Sequence, residues 1–226
     1  MKRIFSPLIS YLLPLTIYHF ASCEQDIYDK GDNDYSLMRA DFVEAYIGHD
    51  KQVDYVVTDE DVHLPLTTAY TAKWIQQADT TYRAVLYYNY VGSKAEPIAL
   101  ARVSTVAVRR PTEFKSGPKT DPLGLESVWM SSNRKYLNLS LILKTGTVDG
   151  DSVVQTLGMI GDTIIIDAGG RRTCQLRVFH NQGEVPQYYS QRVYFSVPLS
   201  GMEADSLRLS VNTYDGVVVK GFRISR

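Results

Sequence analysis

Two cysteines and four histidines are all that this chain of 226 residues offers of the side chains that most often hold metals. No C-x-x-C pair and no H-E-x-x-H spacing occurs, so a zinc centre has no support in the sequence, and no metal or other cofactor is expected. His19 lies in an apolar N-terminal stretch, His49 in the turn "GHDKQ", His63 in "VHLPL" and His180 at the end of "LRVFHNQG". The G-x-S-x-G elbow of serine hydrolases is missing, and so are glycine-rich phosphate loops. Charge imbalance is missing too: 24 basic residues stand against 25 acidic ones, for a formal charge of −1. A chain without a basic field has no electrostatic footprint for nucleic acid.

What is present begins at the N-terminus. Lys2 and Arg3 precede "IFSPLISYLLPLTIYHFAS", an apolar segment that ends in small residues. This is the anatomy of a secretory signal, assigned here to residues 1–22. A membrane span needs about 20 apolar residues, and Pro7 and Pro14 would break its helix. Ala21 and Ser22 just before Cys23 resemble the lipobox of bacterial lipoproteins, although Phe20 replaces the usual aliphatic residue. Cys23 is therefore the expected lipid attachment site, and membrane lipid the first expected partner. Residues 23–34 follow as an acidic tether, "CEQDIYDKGDND", with no apolar period to order it. Its acids resemble the surface-export signals of Bacteroidetes lipoproteins. The expected location is the outer membrane, on the periplasmic or cell-surface face. Loss of Lys2 and Arg3 with the signal lowers the formal charge to −3. Cys174, the remaining cysteine, alternates with Leu176 and Val178 and reads as a free thiol on an apolar strand face.

Sixteen tyrosines and an apolar share of 44% point to an all-β protein. Period-2 alternation recurs through "DFVEAYIG", "VDYVV", "VHLPLT", "TYRAVLYYNYV" and "PIALARVSTVAV". Between the third and fourth lies "AYTAKWIQQAD", the one helical candidate, with Trp74, Ile75 and Ala78 on one side. Three strands, a helix and two strands are the order of an OB-like five-stranded barrel, placed at 35–110. The proline- and glycine-rich stretch 111–124 reads as a linker. Residues 125–226 carry about seven alternating strands, which suits an immunoglobulin-like β-sandwich domain. "DAGGRR" reads as the hairpin turn between two of them. Trp74 is expected at the barrel bottom and Trp129 in the sandwich core.

Chemistry is harder to find. A glycosidase needs two carboxylates about 5–10 Å apart, but Asp59, Glu60 and Asp61 sit between two strands and read as a solvated turn. Asp149 and Asp151 read as a turn also. The motifs at Asp79, Asp151, Asp162 and Asp205 resemble the Asp-Ser/Thr-apolar sites of Bacteroidetes O-glycosylation. Alternating tyrosines on an OB face can stack sugars or bases, so Tyr87, Tyr88 and Tyr90 are the candidate ligand-facing aromatics.

Taken with the lipobox and tether, "LMRADFVEAYI", "DTTYRAVLYYNY" and "LRVFHNQGEVPQYYSQRVYFSVPL" resemble the NigD-like lipoproteins of Bacteroidales. The resemblance implies an OB-type domain followed by a β-sandwich, an association with a bacteriocin locus, and no catalytic motif. The expected function is a non-enzymatic binding or interaction module of the cell envelope. Its partner would be an outer-membrane protein, a glycan or a peptide. The alternative is a carbohydrate-active hydrolase built on an unidentified carboxylate pair.

Overall fold

The computed structural model describes residues 38–115, 117–147 and 154–224. Cys23, the signal, the tether and the turn at Asp149 and Asp151 lie outside the described residues. Those described form an all-β protein whose single helical piece is a 3-10 turn at Pro111–Glu113.

The first sheet contains β1 (Met38–Ile47), β2 (Val53–Thr58), β3 (His63–Pro65), β4 (Thr80–Val91) and β5 (Lys94–Arg102), in the order β3-β2-β1-β4-β5. Alternation explains it. Val43, Ala45 and Ile47 of β1 turn inward together with Ala84, Leu86 and Tyr88 of β4, joined by Val56, Leu64, Ala95 and Leu100. A register shift between Tyr87 and Tyr88 in the β4–β5 ladder falls where Tyr88 faces Pro97, a residue with no N–H for the ladder. The two edges of the sheet meet at a single parallel bridge, Leu66 to Ala95, beside a hydrogen bond from Thr67 N–H to the Ala95 carbonyl. No continuous ladder closes the expected barrel.

The expected helix at 69–79 does not form. The segment is irregular, with one turn closed by Ile75 N–H on the Ala72 carbonyl. A piece of that length is too short to nucleate a helix without help, and tertiary bonds outcompete it. Val53 N–H donates to the Tyr70 carbonyl, Thr71 Oγ1 to the Lys51 carbonyl, and Trp74 Nε1 to the Leu100 carbonyl at 3.1 Å. Trp74 does pack on the first core, edge-on to Tyr82.

The remaining strands are β6 (Ser104–Thr105), β7 (Val108–Arg109), β8 (Gly124–Met130), β9 (Tyr136–Thr145), β10 (Thr156–Ile166), β11 (Arg172–Asn181), β12 (Tyr189–Pro198), β13 (Ser206–Thr213) and β14 (Gly216–Arg223). They make two sheets, β14-β13-β11-β10-β7 and β6-β12-β9-β8. The inner faces share one core, in which Leu137, Leu139 and Leu141 meet Phe195, Val197, Leu176, Leu207 and Leu209. "DAGGRR" is the expected β10–β11 hairpin turn, organised by the Asp167 carboxylate accepting from the N–H groups of Gly169 and Arg171. β11 and β13 run parallel, a pairing outside the antiparallel immunoglobulin pattern.

Residues 104–109 continue from the first sheet into the other two: β6 pairs with β12 and β7 with β10. The described residues of the stretch 111–124 are tied down at several points. Phe114 stacks on Phe179 with centroids 4.3 Å apart, Asp121 N–H donates to the His180 carbonyl, and Leu123 N–H to the Asn212 carbonyl. His180 is fully buried, its ring held between the Asp121 carbonyl and Gln155 Oε1 at 3.0 Å each.

Candidate functional site

Where the first sheet meets β8, β9 and β12, its outer face is not wet. Phe42, on the opposite face of β1 from Val43, makes edge contacts with Trp129 at 5.1 Å and Tyr194 at 5.6 Å. Trp129 therefore does not enter the sandwich core, as its alternation suggested. It lies on the outer face of β8, because that face is covered by the first sheet and can accept a large ring.

Beneath these rings lies Arg83, in the middle of β4, with only 2% of its side chain exposed. One Nη donates to Asp59 Oδ2 at 2.7 Å and Asn138 Oδ1 at 3.1 Å, and Nε donates to Ser196 Oγ at 3.2 Å. The other Nη stands 2.7 Å from Asp59 Oδ1, at ion-pair distance but off the direction of a good hydrogen bond. The guanidinium lies 4.1 Å from the Tyr136 ring centre and 5.3 Å from that of Phe42. Planar charge, ring faces and a bidentate carboxylate suit Arg as they would not suit Lys. Asp59 also accepts from Asn138 Nδ2 at 2.9 Å. Of the three acids expected in a solvated turn, Asp59 is thus a mostly buried partner of Arg83. Asp61 stays exposed and accepts from Asn133 Nδ2, while the Glu60 carboxylate has no partner among the described residues. Glu44 completes the seam, accepting from Tyr136 Oη at 2.8 Å and Lys135 Nζ at 3.2 Å. Burial, helped by the Glu44 carboxylate, pushes the Tyr136 phenol up to about 12.

Next to this seam a cleft of about 440 Å³ opens between β1, β4, the β2–β3 turn and β8. Tyr88 and Tyr90 both line it, with Arg39, Asp41, Phe42, Glu60, Val62 and Trp129. Tyr87 does not, since it points to the other face of β4. Tyr88 belongs to the cleft wall more than to its surface. It is 2% exposed and donates to Asp41 Oδ2 at 2.7 Å, and burial followed by that carboxylate raises its phenol to about 12. Tyr90 is 44% exposed, with the Arg39 guanidinium 4.7 Å from its ring centre. Val62, 43% exposed, forms part of the rim.

Elsewhere the histidines serve packing and surface contacts. His63 stacks on Tyr55, which stacks on Tyr46, and His49 pairs with Asp79 in the open. Among the described residues no three of His, Cys, Asp and Glu gather as a metal site. The sequence did hold a signal for the seam. Phe42 and Val85 are apolar residues on the supposedly wet face of their strands, and an apolar pair there implies a cover.

No family profile and no curated protein matches the chain. Solved structures do. A NigD-like immunity protein from Bacteroides caccae superposes with a TM-score of 0.61 at 19% identity, over 82% of this chain and 96% of that one. A Bacteroides vulgatus protein of unknown function gives 0.60 at 15%, over 82% and 90%. A Bacteroides fragilis protein, provisionally described as a lipoprotein, gives 0.57 at 12%, over 82% and 96%. The expected likeness to NigD-like proteins therefore holds at the level of the fold, across nearly the whole length of these structures.

Proposed function

We propose that this chain is a NigD-like envelope lipoprotein, anchored through Cys23, that acts as a non-enzymatic binding module rather than a hydrolase. The observation that carries the reading is the cleft beside Tyr90, walled by two different sheets and rimmed with exposed apolar residues. Ligand sites favour such junctions. The strand order β3-β2-β1-β4-β5, with the β3 and β5 ends meeting in parallel, supports an OB-type first half of residues 35–110. OB surfaces bind ligands across a strand face and its neighbouring loops, and the cleft occupies such a place. Asp59, one of the three acids at the cleft, is committed to Arg83 and is not free for acid–base work. An immunity protein among the structural neighbours agrees with a bacteriocin-associated role.

Two measurements test this reading. Cys23→Ser should move the protein from the membrane fraction to the soluble one, and unchanged membrane retention would defeat the lipoprotein assignment. Crosslinking on intact cells should then capture an outer-membrane protein, glycan or peptide partner that Tyr90→Ala no longer captures. Capture that ignores Tyr90 would place binding elsewhere.

A further inference from the structure

Given that the cleft is a binding site, its chemistry narrows what can occupy it. Four charged residues line it: Arg39, Asp41, Asp59 and Glu60. Asp59 is neutralised by Arg83, and Arg39 lies over the Tyr90 ring. Asp41 receives only the neutral Tyr88 hydroxyl, and no described cation stands within ion-pair distance of Asp41 or Glu60. Arg39 keeps its positive charge over the ring, so against Asp41 and Glu60 the cleft carries one net negative charge. On its rim lie two exposed apolar or aromatic residues, Val62 and Tyr90. Negative charge inside an apolar rim is complementary to a cation carried on apolar neighbours.

The rings argue against a sugar platform. Stacking needs an open ring face, yet Tyr88 is 2% exposed, Tyr90 already carries a guanidinium, and Trp129 is engaged by Phe42. The volume is at the lower end of the range of about 300–1,000 Å³ for small-ligand sites. That is room for side chains of an extended segment and too little for a folded partner.

We propose that this cleft takes a basic, partly apolar peptide segment. A lysine or arginine side chain is directed at Asp41 and Glu60, and an aliphatic or aromatic neighbour is laid on Val62, against the part of Tyr90 that Arg39 does not cover. Arg39 on Tyr90 is an internal example of a guanidinium accommodated at this rim.

The test uses the full chain in detergent micelles, titrated by calorimetry with three capped hexapeptides of alternating leucine and lysine, leucine and glutamine, or leucine and glutamate. The lysine peptide should bind, the glutamine peptide about tenfold more weakly, and the glutamate peptide least of all. That step is the loss expected of one charge-assisted hydrogen bond. Added salt should weaken the lysine peptide selectively. Glu60→Gln, an exposed turn position whose change leaves the fold intact, should lower lysine-peptide affinity about tenfold, whereas the remote Glu184→Gln should not. Equal binding of the lysine and glutamine peptides, lost in Tyr90→Ala, would overturn recognition by charge and leave the cleft a binding site. Binding of a neutral oligosaccharide with no peptide bound would overturn the ligand class in the same way. Lysine-peptide binding indifferent to both Glu60→Gln and Tyr90→Ala would overturn the inference and the cleft reading together.

Discussion

Arg83 sits at a strand position where alternation would place a solvent-facing residue, and it is among the most buried side chains in the protein. Its charge is met by Asp59, Asn138, Ser196 and two ring faces drawn from three strands and a turn. Removing one member of a buried pair leaves the other charged and uncompensated, at a cost of about 3–5 kcal/mol. Arg83→Met should therefore destabilise the protein by about 3 kcal/mol in a urea titration, and the double variant with Asp59→Asn should recover part of the loss. Near-wild-type stability of Arg83→Met would mean that the pair contributes nothing net. Tyr88 and Tyr136 belong to the same scale. Both phenols are raised to about 12 from an ordinary value of 10.0, chiefly by burial. The unfolded chain then releases these protons first as pH rises. Their contribution is fully present below about pH 10 and lost through about pH 12. The denaturation midpoint should fall across that window, and Tyr136→Phe should flatten the fall; an unchanged slope would remove Tyr136 from the account.

Strands were the elements most legible in the sequence, because period-2 alternation is a local property that needs only one buried face. The Leu137, Leu139 and Leu141 series and the Val43, Ala45 and Ile47 series both turned inward as read. The segment 69–79 was misread for the converse reason: its apolar spacing matches a helix, but the Tyr70 carbonyl and the Thr71 and Trp74 side chains find partners on Val53, Lys51 and Leu100, which are remote in sequence. Close approach between elements was equally invisible. Gly124 on β8 faces Ile142 on β9, and a Cβ there would stand 2.8 Å from the Ile142 Cβ. Gly124→Ala should cost about 1–3 kcal/mol by overpacking, measured as a shift in thermal midpoint, and an unshifted midpoint would show that edge strand β8 moves aside freely. Leu139→Ala, at the centre of the sandwich, should cost about 2–5 kcal/mol by the same assay.

For the molecule as a whole, the crossing of residues 104–109 between sheets and the seam around Arg83 join the first sheet to the sandwich. The described residues form one compact unit. Heating should accordingly give one cooperative transition, with Arg83→Met separating it into two. A single unbroken transition in that variant would show that β6 and β7 suffice for the coupling. The sequence by itself determined the all-β class, most strand positions, the hairpin turn at 167–171 and the expectation of a lipid anchor, since each rests on neighbours in the chain or on composition. Only the tertiary structure decided which acid is buried, which tyrosine reaches the surface, and where the cleft lies. Asp59, Arg83 and Asn138 are far apart along the chain, and only packing one sheet on another brings two charges and an amide out of water and into one place.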